Sequence, residues 1–178
     1  ETLEPEDYRG AHATIGTDRG HQVPLASFSA TQEWRATNYL SNITPQKSAL
    51  NQGPWARLEK AIRRLAKSSV HEIVYVATGP IYEKIMPSLP NADETHSVPS
   101  GYWKVVAMSG PGGLEAVGFV MDQDLSRAAD FCAAPQRINL SRLVGRVGLR
   151  LFPDLDPGAF SALAESGPSM ARRLGCSE

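Results

Sequence analysis

The stretch from Gln52 to Lys67 reads as one long amphipathic helix, preceded from Thr17 by two extended segments with a shorter helical stretch between them. Trp55, Leu58, Ile62 and Leu65 step by three, four and three residues, which gathers them on one helical face. The pattern predicts a helix from about Gln52 to Lys67, with Asn51 suited to cap it and Pro54 tolerable in its first turn. Pro45 disfavours helix at Thr44, so Ser41 to Gln46 reads as extended. Thr17 to Pro24 reads as a strand that turns at Gly20 and presents His21. Between the two extended segments, Leu25 to Ser29 is a loop or short helix, and Ala30 to Tyr39 reads as helical with Trp34 and Tyr39 in the core.

The flanking chain is mixed in character. Residues 1–16 carry no sustained period beyond a turn from Pro5 to Tyr8. His71 to Thr78 is rich in Ile and Val and reads as a strand stopped by Gly79-Pro80. A long polar loop from Ile81 to Thr95 follows. Tyr102 to Met108 and Leu114 to Met121 are two strands joined by Ser109-Gly110-Pro111-Gly112-Gly113, a hairpin signal. Asn139 to Gly145 starts a helix with Asn139 or Ser141 as cap, and Asp154 to Ser166 is a further helix with Pro157 early in it. The sum is an α+β chain with a central antiparallel sheet flanked by helices, in a single domain over residues 1–178.

At 178 residues the chain is long enough for a sizeable core. Its formal charge of −1 excludes a global polycation, so a polyanionic partner would need a local basic face. That bias exists on the predicted helix, where Arg57, Lys60, Arg63, Arg64 and Lys67 cluster. A charge run is usually a solvated face, and Lys60 and Lys67 are read that way. No apolar run approaches the roughly 20 residues that span a bilayer, and no basic-then-apolar leader opens the chain. Residue 1 is glutamate, which suggests a processed or truncated product. Cys132 and Cys176 fit two buried thiols as well as one disulfide.

Three ordered motifs carry a resemblance. They are Asp18-Arg19-Gly20-His21-Gln22-Val23-Pro24-Leu25-Ala26, then Asn38-Tyr39-Leu40-Ser41-Asn42-Ile43-Thr44-Pro45-Gln46, then Leu50-Asn51-Gln52-Gly53-Pro54-Trp55 through Leu58-Glu59. With Thr78-Gly79-Pro80-Ile81-Tyr82, Pro99-Ser100-Gly101-Tyr102-Trp103-Lys104 and the late cysteine, the sequence resembles the non-specific DNA/RNA endonuclease family. The resemblance implies a ββα-metal core, the His-Me finger arrangement. It also implies a Cys132–Cys176 disulfide, which would contribute about 4 kcal/mol through the unfolded state and indicate an oxidising compartment. A secreted or extracellular chain is therefore expected, with the periplasm as the other such compartment. The family's upstream sheet and an upstream arginine have no counterpart in the 17 residues before Asp18, so strands are expected to be missing there.

The same resemblance assigns roles. Alone, a histidine after glycine is usually a loop or core residue; within this motif His21 is the general base. An imidazole with a reference pKa of about 6.5 can take a proton from water at neutral pH. Asn51, otherwise a helix cap, becomes the single protein ligand of a metal through its amide oxygen. An oxygen donor with waters completing the shell suits Mg²⁺, with Mn²⁺ as substitute, and argues against zinc. The ion would act as Lewis acid and stabiliser of the leaving 3′ oxygen, giving 5′-phosphate products. Glu59, eight residues past Asn51, would reach the ion's water shell; its bland reading is an i,i+4 partner of Arg63. Arg19 and Arg63 would neutralise phosphate, with Arg57 also binding substrate. Asn42 would bond near the scissile phosphate or the metal's waters. Asp18 is assigned to structure, pairing Arg19 or holding the turn, and Trp34, Trp55 and Trp103 to the core.

Backbone contacts of this kind carry no sequence information, which fits cleavage of both DNA and RNA. Two other readings compete with an active Mg²⁺-dependent endonuclease. One is a catalytically impaired, nucleic-acid-binding remnant or fragment of such an enzyme. The other is a small secreted α+β domain whose motifs arise by chance. No membrane partner is expected, a homodimer is compatible with the resemblance, and the motifs identify no inhibitor protein.

Overall fold

In a computed structural model, residues 3–68, 72–110 and 113–177 are described. In chain order the elements are α1 (Ala11–Ile15), β1 (Thr17–His21), α2 (Leu25–Phe28), β2 (Ile43–Lys47), α3 (Ser48–Leu50), α4 (Ala56–Ser68), β3 (Val74–Ile81), β4 (Gly101–Gly110), β5 (Gly113–Asp122), β6 (Arg137–Ile138), α5 (Leu140–Val147), α6 (Pro157–Glu165) and α7 (Gly167–Arg173). The chain is mixed α+β. β1 and β2 form a two-stranded antiparallel ladder, and a second sheet has the order β3-β4-β5-β6, with β5 and β6 antiparallel. Among the described residues no helix is long and apolar enough to cross a membrane.

The chain divides into two compact units. The first comprises Glu1–Arg57, Thr78–Tyr102 and Met121–Ala129. Its core gathers Tyr8, Ala11, Ile43 and Leu89, with Leu3, Ile15, Leu40 and Ala92 packed against them. The β1–β2 ladder pairs Thr17 with Lys47, Asp18 with Gln46, Arg19 with Pro45, Gly20 with Thr44 and His21 with Ile43. Pro45 has no N–H to donate, but its carbonyl is well used. It accepts from the Tyr102 hydroxyl at 2.7 Å and from Gln123 Nε2 at 2.8 Å. Gln123 Oε1 in turn accepts the Lys47 N–H at 2.7 Å, so one buried amide fixes the end of β2. The buried Trp55 ring lies tilted against Tyr102, centroids 5.6 Å apart.

The second unit comprises Leu58–Ala77, Trp103–Val120 and Asp130–Glu178. Leu58, Ala61, Ile62 and Leu65 form the buried stripe of α4, and of these spacing predicted Leu58, Ile62 and Leu65. Phe119 packs edge-on to Phe131 at 6.0 Å. Asn139 caps α5 by accepting the Ser141 N–H at 2.9 Å, and Asp156 caps α6 through the Gly158 and Ala159 N–H groups. Pro157 opens α6, where its missing N–H costs nothing. Cys132 and Cys176 are joined in a disulfide.

Several expectations need correction. The chain does not turn at Gly20, which sits inside β1; a Cβ there would lie 2.4 Å from Gln46 Oε1, so the glycine makes room for a buried side chain. Asn51 does not cap the long helix. Helical conformation begins at Ser48, Asn51 itself is right-handed helical, and Asn51–Trp55 is a π-type turn kinked at Gly53. The predicted helix over 30–39 is a 3-10 turn, Trp34–Asn38, with Tyr39 67% exposed and Trp34 half-buried beneath the Arg35 guanidinium. Trp55 and Trp103 are buried as read. β3 runs through Gly79-Pro80 to Ile81, which an edge strand tolerates because a missing N–H there breaks no interior ladder. His71, Pro111 and Gly112 lie outside the described residues, so the hairpin turn read at 109–113 does too in part. α1, closed by Gly16, and α7 were not legible in the sequence. α6 ends where the Ser166 hydroxyl donates to Leu163 O and accepts the Ala116 N–H, and Pro168 can then lie in the first turn of α7.

Candidate active site

The site grows from β1. His21 is its last residue, paired with Ile43, and half-buried. Its Nε2 lies 3.1 Å from Asn38 Oδ1. An amide oxygen only accepts, so this partner places the imidazole proton on Nε2 and leaves the lone pair on Nδ1. Asn38 stood within the second motif but drew no role from spacing alone. Asn42 holds the same turn: its Oδ1 accepts the Val23 N–H at 2.8 Å, and its Nδ2 donates to Val23 O at 2.9 Å and Thr37 O at 2.8 Å. That amide therefore clasps the backbone that follows His21.

Asp18 is the hub of the ladder's other end. Oδ1 receives Ser48 Oγ at 2.6 Å and lies 2.8 Å from His12 Nδ1. Oδ2 receives Asn51 Nδ2 at 3.0 Å and Gln52 Nε2 at 2.8 Å. Burial pushes the Asp18 carboxyl pKa up, but donors from Ser48, Asn51, His12 and Gln52 outweigh it and hold the pKa below the usual value. The structural role expected for Asp18 is thus directed at Ser48, Asn51 and Gln52, not at Arg19. For Asn51 the consequence is directional. A carboxylate takes only donors, so the amide nitrogen must face Asp18 and the carbonyl oxygen is the atom left to bind a cation. Asp18 and His21 are three residues apart on one strand, about 10 Å of chain.

The arginines differ in setting. Arg19 is exposed, donates to Pro5 O and lies over the Tyr8 ring, 5.4 Å to its centroid. Arg57 donates from Nη2 to Arg127 O at 2.9 Å and to Ala129 O. Arg63 is half-buried, and its Nη1 is buried without a hydrogen-bond partner, a donor able to receive an oxyanion. Lys60, Arg64 and Lys67 are exposed on α4, as a solvated face would be.

Glu59 is half-buried near the start of α4, its Oε1 3.9 Å from the Nζ of Lys104. Sequence reading offered Arg63 as the bland partner and assigned Lys104 nothing. The signal was alternation along β4: Tyr102, Lys104, Val106 and Met108 share a face, all buried, with a lysine among apolar side chains. Burial pulls the Lys104 pKa down to about 8, with the Glu59 carboxylate pulling it back up. Elsewhere, carboxylates of Asp7, Asp93 and Glu94 lie within 4.8 Å of one another. That group includes neither His21 nor Asn51.

Strand, strand and helical turn in this succession, with an asparagine oriented by a carboxylate, define a ββα nuclease-like chain. Sequence comparison agrees. A family model described as DNA/RNA non-specific endonuclease matches residues 1–143, and the chain belongs to that family. It is 41% identical over 177 residues to the nuclease of Serratia marcescens, covering 99% of this chain and 66% of that protein. Human mitochondrial endonuclease G is 36% identical over 65% of this chain and 40% of its own length. The mitochondrial nuclease EXOG of Xenopus laevis is 31% identical over 85% of this chain and 44% of its own. This chain therefore spans less than two thirds of the length of these relatives.

Proposed function

We propose that the chain is a Mg²⁺-dependent, sugar-non-specific endonuclease that hydrolyses phosphodiesters of DNA and RNA to 5′-phosphate products. Family membership supports the reaction class, and one geometric observation carries the residue assignment: Asp18 takes the Asn51 amide nitrogen and turns its oxygen outward. A hard oxygen donor of that kind suits Mg²⁺ or Mn²⁺ and not zinc. When bound, such an ion polarises the phosphate and stabilises the leaving 3′ oxygen.

His21 takes the proton of the attacking water at Nδ1, while Asn38 holds the opposite ring nitrogen. Arg19, Arg57 and Arg63 supply positive charge for the phosphate as it gains negative charge in the transition state; the unpartnered Arg63 Nη1 is the best prepared of the three. Glu59 is the carboxylate that would hydrogen-bond water of a bound ion, and Asn42 fixes the turn behind His21. The disulfide favours an oxidising compartment, so secretion is the proposed destination.

The experiment is digestion of plasmid DNA and of RNA with Mg²⁺, with and without EDTA, followed by end-group analysis. Cleavage of both polymers, abolished by EDTA and leaving 5′-phosphates, is the expected outcome. Binding without cleavage would instead identify an impaired, nucleic-acid-binding form.

A further inference from the structure

Among the described residues of the second unit, Lys104 is the most deeply buried charged one, its side chain 1% exposed, on the strand between β3 and β5. A lysine ammonium is a hydrated point charge that is rarely buried unless it answers another charge. The same strand face is otherwise Tyr102, Val106 and Met108, and a methionine at 104 would pack there without a charge to accommodate. What the ammonium faces is the Glu59 carboxylate, itself only 14% exposed, at 3.9 Å. Glu59 is therefore not a freely hydrated helix-surface carboxylate, and Lys104 sets a positive charge 3.9 Å from its Oε1.

Resting on the nuclease reading above, we propose that Lys104 is a positioning residue whose buried charge, 3.9 Å from Glu59 Oε1, holds the Glu59 carboxylate in place for phosphodiester hydrolysis. Lys104 touches neither substrate nor metal in this account; it works through Glu59. The depressed Lys104 pKa, about 8, is consistent with a cation held there at the cost of its hydration.

The test is a double-mutant cycle on the full chain, with plasmid cleavage in Mg²⁺ as the assay. Lys104→Met keeps the apolar stem and removes the charge; it is expected to lower kcat by about tenfold or more while KM for DNA changes by less than about threefold. In a Glu59→Gln background the same change is expected to alter kcat by less than about twofold, because the group Lys104 acts on is gone. Lys104→Arg, which restores a cation, is expected to recover part of the loss. Should Lys104→Met melt below the assay temperature, Lys104→Gln serves the same cycle. Losses that multiply across the two sites, or equal losses in Lys104→Arg and Lys104→Met, overturn the assignment. His21→Ala is run alongside. If the unmutated chain does not cleave, or His21→Ala cleaves equally well, the nuclease reading itself falls and this role falls with it. Multiplying losses with His21 dependence intact remove the Lys104 role alone.

Discussion

The side-chain amide of Asn51 donates from Nδ2 to Asp18 Oδ2 at 3.0 Å. One carboxylate on β1 thereby fixes which end of an amide on the following helical turn faces outward. Its four side-chain partners come from α1 (His12), α3 (Ser48) and the π-type turn (Asn51 and Gln52). A carboxylate is the right hub for this, because it accepts at both oxygens and cannot present a donor.

Asp18→Asn puts an NH₂ where one set of donors already points. Stability should fall by about 2 kcal/mol, within the range for a hydrogen bond to a charged group. Activity should fall more than stability explains, by roughly tenfold or more, with a higher Mg²⁺ requirement, because the Asn51 oxygen is no longer aimed. Urea denaturation and a Mg²⁺ titration of plasmid cleavage measure the two effects. Ser48→Ala, which removes one donor and leaves Asn51 anchored, should cost about 1 kcal/mol and little activity.

Acid dependence follows from the same carboxylate. The folded pKa of Asp18 lies below its unfolded value, so the folded state binds fewer protons as pH falls toward that range. Its stabilising contribution is complete above the unfolded pKa of about 3.9 and is lost as pH drops through the folded value. Between pH 5 and 7 this group should therefore add no slope to stability. Below about pH 4 the unmutated chain should lose stability more steeply than Asp18→Asn, in acid titrations followed by circular dichroism.

Gly53 is constrained by a neighbour that cannot yield. A Cβ there would stand 2.7 Å from Arg127 O and 2.9 Å from Arg127 Cα, both backbone atoms. Gly53→Ala should destabilise by about 2 kcal/mol or more and displace the turn carrying Asn51. Thermal melting checks the first effect, and metal-dependent activity the second.

The disulfide closes a separation of 44 residues. On the chain-entropy model, Cys132→Ser with Cys176→Ser should lower stability by about 4 kcal/mol. Guanidinium denaturation of the oxidised chain and the double variant gives the difference. No change in stability would show that the bond adds nothing beyond packing.

The sequence disclosed elements whose signal is local and periodic. The buried stripe of α4, the cap Asn139 and the early Pro157 of α6 are cases where spacing or one side chain decides the outcome. It misled where a long-range contact overrides a local preference. Asn51 has the chemistry of a cap, yet its amide answers Asp18, 33 positions away. Gly20 suggests a turn, but the reason for a glycine is Gln46 across the ladder. Tyr39 fitted a core helix by composition and is exposed, because the chain there coils through 3-10 turns. Alternation along β4 put Lys104 among apolar side chains, but its partner Glu59 lies 45 positions earlier on another element, so spacing alone gave it no role.

The central claim is that His21 removes a proton from water in a metal-dependent hydrolysis. Single-turnover plasmid cleavage by the unmutated chain and by His21→Ala, at saturating Mg²⁺ and neutral pH, tests it directly. The account predicts a rate lower by roughly 10²–10⁴ for the variant, with DNA affinity and melting temperature unchanged. A His21→Ala chain that folds, binds DNA and cleaves it at the unmutated rate would contradict it.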